Sequence, residues 1–237
     1  MLGFTSPTQL CLRSSVKSQL AIYDMDRTIT RNATYTSFLI HAALKLAPWR
    51  LLLIPFVVLS MLAYALKLID RGRLKEINHR LLLGHRRHPH ELMPLVHSFA
   101  QKTVASNIRP GARSAIARDK AEGRRIVMAT ASYRLYADAI GRQLGFDDII
   151  GTGSIIGLDE RVHAKIDGDN CYGPAKLRMV TDWLSKSGLE RGHVRFYSDH
   201  ASDAPVFEWA DEAVAVNPHD RLTRLAKDRG WRVDDWD

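Results

Sequence analysis

Cysteine is scarce in this chain. Only Cys11 and Cys171 occur among 237 residues, too few for a disulfide framework, so both are read as ordinary thiols of a reducing compartment. Acidic residues are missing from the first eighteen positions, which carry several serines but no long apolar core ahead of a small-residue cleavage site. That argues against a secretory signal and predicts a disordered tail over 1–18, with a transit peptide as the alternative. Zinc-ligand spacing and RNA-binding signatures are also absent, so nucleic acid is not expected as a partner despite a formal net charge of +8. The basic surface points instead to phosphorylated molecules or anionic lipid.

What remains is a folding composition, 46% hydrophobic and 25% charged, long enough for one core domain with an insertion. Leu20 to Tyr23 is a short apolar run that ends in a polar turn, the pattern of a buried strand. From Pro110 the signals alternate. Helices are predicted over Ala112–Glu122, Leu135–Leu144 and Leu222–Arg229, and from Pro174 to a stop at Gly188. Strands are predicted at Ile126–Ala129, Val194–Tyr197 and Ala213–Val216, with an edge strand at Trp231–Val233 and a hairpin within Ile149–Ile166. Alternation of this kind predicts an α/β fold, a Rossmann-like core with a parallel sheet. The core is assigned to 19–31 and 110–237. The leucine-rich, basic stretch 32–109, without a convincing strand, is read as an inserted helical cap.

In open parallel sheets ligands bind beyond the carboxyl ends of the strands. Asp24 follows the first strand, Thr130 the second, and Asp199 a later one. Three polar groups far apart in sequence should therefore meet at one edge. Asp24 is read as a nucleophile able to attack phosphorus. Asp26, two residues on, would protonate the leaving oxygen and then activate water. Two close carboxylates call for a hard cation between them, and Mg²⁺ with Asp24, Asp26 and Asp199 as ligands meets that need. Thr130 and the Ala131 amide would hold phosphoryl oxygens, and Lys176 would offset their charge. Asp203, Thr28 and Ser132 are expected in supporting places. Taken singly, each of these residues has a plain reading as a turn, a cap or a solvated charge; their order at strand ends is what argues for a site.

These residues carry a resemblance to the haloacid dehalogenase superfamily, in its phosphoserine-phosphatase-like branch. Asp24-Met-Asp-Arg-Thr28 resembles the first motif, Thr130-Ala-Ser132 the second, Lys176 the third, and Asp199-His-Ala-Ser-Asp203 the fourth. The resemblance implies a phosphoric monoester hydrolase working through an aspartyl-phosphate with Mg²⁺. Arg27 and His200 depart from the commoner small residues. Ala33 stands where enzymes for phosphoserine carry a glutamate, so phosphoserine itself is not the expected substrate.

Leu51–Leu66 runs sixteen residues without a charge, flanked by Arg50 and Lys67. A helix of that length reaches roughly 24 Å, short of the roughly 30 Å hydrocarbon core. One crossing would also strand Asp24 on the side opposite Thr130, Lys176 and Asp199. The run is therefore expected to be re-entrant or interfacial, bent at Pro55, with burial in the cap or a dimer interface as the alternative. Between Lys45 and His90, nine Lys/Arg stand against two Asp/Glu, a balance suited to anionic lipid. In this cap the chain resembles bacterial phosphatidylglycerophosphatases of the type C group. The expected partner is a phosphorylated substrate, lipid among the choices, at the cytoplasmic face of a bacterial inner membrane or, alternatively, in the cytoplasm. A soluble metabolite phosphatase and a non-catalytic regulator are the competing readings. His79, His85, His88 and His90 are read as a basic solvated loop, because no carboxylate or cysteine completes a metal set.

Overall fold

The computed structural model describes residues 17–237. The tail expected over 1–18, and Cys11 with it, lies outside the described residues except for Lys17 and Ser18. Ser18 is already the first residue of β1 (Ser18–Tyr23).

The strands form one sheet. In chain order they continue as β2 (Arg86–Arg87), β3 (Arg125–Tyr133), β4 (Asp148–Ile156), β5 (Val162–Asp167), β6 (Arg191–Ser198), β7 (Glu212–Val216) and β8 (Arg232–Asp234). Their spatial order is β2-β5-β4-β3-β1-β6-β7-β8. The six strands from β4 to β8 in that order pair in parallel. β5 returns antiparallel to β4, and β2 adds an antiparallel edge to β5.

β1 lies at the centre because its residues are apolar on both faces. Ala21 and Tyr23 enter one core cluster, while Leu20 and Ile22 enter the other, the alternation of a strand covered on both sides. β3 repeats it with Ile126 and Met128 opposite Val127 and Ala129. The first face is covered by α5 (Pro110–Ala121), α6 (Arg134–Leu144) and helices of the inserted stretch. The second is covered by α7 (Pro174–Lys186), α8 (Ala204–Trp209) and α9 (Asp220–Arg229). Gly145 ends α6 at φ 74°, a left-handed position that suits glycine.

Between β1 and α5 the chain forms α1 (Tyr35–Leu46), a 3₁₀ turn (Pro48–Leu53), α2 (Ile54–Ala65), α3 (Arg71–Leu82) and α4 (Pro89–Ser106). Four expectations need correction here. The stretch is not free of strand: Arg86 and Arg87 pair with His163 and Val162, a long-range edge contact that two charged residues do not announce. The apolar run is not one bent helix. A 3₁₀ turn precedes α2, and Pro55 sits in the first turn of α2, where its missing N–H is harmless. The second strand does not stop at Ala129, so Thr130 lies within β3, next to a register shift that spans Thr130 to Tyr133. His79 does not belong to a solvated loop. It is 1% exposed on α3, meets the Tyr133 ring edge-on at 5.3 Å, and is pushed down to about 4 by burial.

The face of α2 that meets the protein is narrow. Val57 and Ser60 are buried there, and the Ser60 hydroxyl donates to Asn78 Oδ1 of α3 at 2.7 Å. Around them Phe56, Val58, Leu59, Met61 and Leu62 are exposed, and Leu59 is 60% exposed.

Candidate active site

The site forms where β1, β3 and β6 end together. The Asp24 N–H donates to the Tyr197 carbonyl at 2.9 Å, so Asp24 leaves β1 still tied to β6. After it the chain turns sharply. Arg27 has φ 65°, which explains why a small residue is commoner at that position, since side chains rarely take left-handed backbone. The turn carries Thr28 back under the strand ends. Its Oγ1 accepts from Asp199 N at 2.9 Å and lies 3.1 Å from Asp199 Oδ1 and 3.4 Å from Asp24 Oδ2.

Asp24 and Asp203 share one cation. Lys176, near the start of α7, donates to Asp24 Oδ1 at 2.8 Å and to Asp203 Oδ2 at 2.6 Å. All three are buried. Burial alone would lower the Lys176 ammonium, but Asp203 and Asp24 overcome it and hold it well above the ordinary lysine value. Burial pushes Asp24 up to about 7 against the pull of Lys176, with Asp203 and Asp199 adding repulsion. Asp199 is likewise raised by burial, a rise eased by its bond to Thr28. Ser198 Oγ completes the group by donating to Asp203 Oδ2 at 2.7 Å.

Asp26 departs from the arrangement expected of it. Its carboxylate does not pair with that of Asp24 around a common point. Oδ1 accepts from the Thr34 amide at 2.6 Å and the Thr34 hydroxyl at 2.7 Å, and Oδ2 accepts from Ser132 Oγ at 2.5 Å. Tyr136 OH donates to Ser132 Oγ at 2.7 Å behind it. Asp26 is therefore a fixed carboxylate standing between the turn after β1 and the end of β3. Thr130 is fully buried, and its Oγ1 accepts from Ser132 N at 3.0 Å. The Ala131 carbonyl accepts from Thr152 Oγ1 at 2.7 Å.

Among the described residues, no three acidic, histidine or cysteine side chains come together as a ready metal site. The donor chemistry still fits a hard divalent cation. Asp24 and Asp199 meet across Thr28, and both are short of positive charge by the direction of their shifts. The neighbouring Asp203 Oδ1 has no hydrogen-bond partner. Two carboxylate oxygens, completed by backbone oxygen or water, suit Mg²⁺. The Asp26 carboxylate is taken by three protein donors and fits a proton-carrying part better than a ligand's.

Several residues of the site were not singled out from sequence. Thr34 and Tyr136 position Asp26, Ser198 holds Asp203, and His219 Nε2 lies 3.7 Å from Asp199 Oδ2. Asp119, fully buried on α5, accepts from Tyr23 OH and from Tyr197 OH, the latter at 3.0 Å, and pairs with Arg195. It fixes the residues just before Asp24 and Ser198. Thr34, ten residues after Asp24, was near enough in sequence to notice. The others carried no local signal.

The model of the haloacid dehalogenase-like hydrolase family matches residues 21–208. Phosphoserine phosphatase SerB1 of Mycobacterium tuberculosis is 29% identical over 146 residues, covering 62% of this chain and 47% of that protein. A histidinol-phosphatase of Neisseria meningitidis is 27% identical over 146 residues, covering 60% and 66%. The chain thus spans about half the length of the SerB1 protein it matches. A solved protein of unknown function from Bordetella pertussis Tohama I superposes with a TM-score of 0.84 at 24% identity, covering 93% of this chain and all of that one. It shares the fold.

Proposed function

This chain belongs to the haloacid dehalogenase-like hydrolases, and we propose that it cleaves a phosphate monoester by attack of Asp24 on phosphorus. The observation that carries the reading is the buried Asp24–Lys176–Asp203 group at the sheet edge, with Asp26 held separately by Thr34 and Ser132. A binder has no need of a nucleophile and a separately positioned proton carrier. Among the described residues Asp24 Oδ2 meets only the Thr28 hydroxyl, at 3.4 Å, and is the freer oxygen for attack. It forms a bond to phosphorus as the phosphorus–oxygen ester bond breaks, and Asp26 gives its proton to the departing oxygen. Water then attacks the aspartyl-phosphate. Asp26 takes the proton of that water, and Asp24 is released with inorganic phosphate. Thr130 and the Ala131 amide border the phosphoryl group, and Lys176 offsets its charge. A Mg²⁺ ion, when bound by Asp24 and Asp199, would add positive charge at the phosphoryl oxygens.

The finer reading concerns the substrate. Pro48–Ala65 is long and apolar enough to cross a membrane by length and composition, and most of its large side chains face outward. Against a crossing stands the contact of α1 with α3, on either side of the run. The helix is instead suited to lie in the interface, with Arg50 and Lys67 at its ends. That placement supports a lipid phosphate such as phosphatidylglycerophosphate, at the cytoplasmic face of a membrane, as the substrate. The names of the relatives support a second reading, a soluble phosphorylated metabolite.

One panel tests both. Phosphate release should require Mg²⁺ and vanish in Asp24→Asn, and full activity in that variant would overturn the mechanism. Flotation with anionic vesicles, together with turnover of lipid phosphates, supports the lipid reading. A chain that stays in solution and ignores lipid phosphates supports the metabolite reading.

A further inference from the structure

The helix that carries α2 also sends a cation into the site. Lys75 of α3 is 5% exposed. Its Nζ donates to the Ala131 carbonyl and, at 2.6 Å, to Asn170 Oδ1. Both acceptors are neutral. Arg71, one turn earlier on the same side of α3, lays its guanidinium over the Tyr172 ring, 4.0 Å from the centroid. Among the described residues neither Lys75 nor Arg71 forms an ion pair with a carboxylate. The contrast with Lys176 is direct: that lysine is equally buried but holds two carboxylates. A buried ammonium without a counter-charge is costly, and a like charge four residues away on one helix face adds repulsion. Burial and Arg71 push Lys75 down to about 7 against the pull of Asp26. An anion beside the pair would offset the repulsion and hold Lys75 charged.

Its position says what that is. Ala131 lies between Thr130 and Ser132, and Lys75 feels the charges of Asp26 and Lys176, so on the phosphatase reading Lys75 borders the phosphoryl position from the side of the inserted helices. With the phosphoryl group held at the ends of the core strands, a leaving group on the side of the inserted helices meets α3. Ammonium-bearing leaving groups would meet two cations there. The nearest carbonyl acceptor, that of Ala131, is already taken by Lys75 and Thr152.

We propose that Lys75 and Arg71 form an anion subsite for the leaving-group part of the substrate. The chain then prefers phosphomonoesters that carry a second negative charge close to the ester oxygen, and it rejects those with an ammonium there. This rests on the phosphatase reading of the site. It also separates the chain from the relative named for histidinol phosphate, which bears an amine and no second anion on its leaving group.

The test uses the full chain with Mg²⁺ and three soluble probes: phosphoglycolate, phosphoethanolamine and 4-nitrophenyl phosphate. Selectivity is read as the ratio of kcat/KM for phosphoglycolate over phosphoethanolamine, a ratio that does not depend on how much of a variant is folded. It should be at least about 100-fold in the natural chain and should fall at least about tenfold in Lys75→Met and in Arg71→Met, mainly through KM for phosphoglycolate. Lys75→Arg should restore most of it, and Arg71→Glu should lower it furthest. Equal turnover of the two probes by the natural chain, or an unchanged ratio in both methionine variants, overturns the subsite. Thermal stabilisation of Asp24→Asn by the same two ligands ranks them without turnover. If 4-nitrophenyl phosphate is not hydrolysed, the phosphatase reading fails by itself, while stronger stabilisation by phosphoglycolate still supports the subsite and equal stabilisation overturns it. Preference for phosphatidylglycerophosphate over phosphatidate in the same vesicles assigns the second charge to a lipid headgroup. Preference for phosphoglycolate without it assigns that charge to a soluble leaving group.

Discussion

Replacing Lys176 by methionine removes one charge, keeps the apolar stem, and should separate what this lysine does for the fold from what it does for the reaction. Lys176 is 2% exposed, and Asp24 and Asp203 are 7% and 2% exposed. Without the ammonium, two buried carboxylates lose the only ion-pair partner they have among the described residues. Removing one member of a buried ionic group destabilises by about 3–5 kcal/mol, against a total of about 5–15 kcal/mol for a folded domain. At about 2–4 °C per kcal/mol for a chain of this size, the melting temperature should drop by roughly 6–20 °C. Adding Asp203→Asn removes one of the stranded charges, and Ser198 can still donate to the amide oxygen. The double variant should therefore recover at least about half of the lost stability while remaining without turnover. The deficit should also depend on pH. Asp24, already up to about 7 through burial, is held down by Lys176, so its loss sends Asp24 higher and acid relieves the penalty. Urea melts without divalent cations at pH 5 and pH 8 would show a smaller deficit at pH 5. A Lys176→Met melt within about 1 kcal/mol of the natural chain, or a double variant less stable than the single one, would refute the argument.

The natural chain without divalent cations should itself lose stability as pH rises from about 4 to about 7. The folded Asp24 holds its proton over that window and the unfolded one does not; calorimetry should show the slope, and added Mg²⁺ should flatten it. Asp119→Ala strips a fully buried carboxylate from Tyr23, Tyr197 and Arg195, and should lower stability by about 3–5 kcal/mol in urea melts. Leu59→Asp, on the exposed face of α2, should change stability by less than about 0.5 kcal/mol yet weaken flotation with anionic vesicles severalfold.

The core of the fold was legible because its signals are local. Leu20 to Tyr23 and Ile126 to Ala129 are apolar on both faces, and only a strand covered by helices on each side accepts such runs. Pro174 and Gly145 mark helix ends by the backbone angles they favour. Asp24, Thr130 and Asp199 could be placed together because each lies at or near the carboxyl end of a parallel strand, a rule of topology that needs no contact map. Asp26 failed that reasoning for a specific cause. A spacing of two turns side chains to one side only while the chain stays extended, and β1 ends at Tyr23, so Asp26 lies in the turn that begins at Met25 and finds Thr34 and Ser132 instead.

The inserted helices were hardest to read because their sequence pattern serves two surfaces at once. The all-round apolar run over Leu51–Leu66 is real, yet only Val57 and Ser60 of α2 are buried. α3 looks like a plain basic helix in sequence, and its functional face cannot be told from a solvated one by periodicity. In the structure Asn78 of α3 takes the hydroxyl of Ser60, while Lys75, three residues earlier, reaches the Ala131 carbonyl. The helix seated under the exposed apolar face is thus the one that, on the proposed reading, lines the substrate side of the site. A surface suited to lipid and a pocket suited to a second negative charge are carried by neighbouring side chains of one rigid element. A phosphomonoester presented at an anionic interface would meet both together.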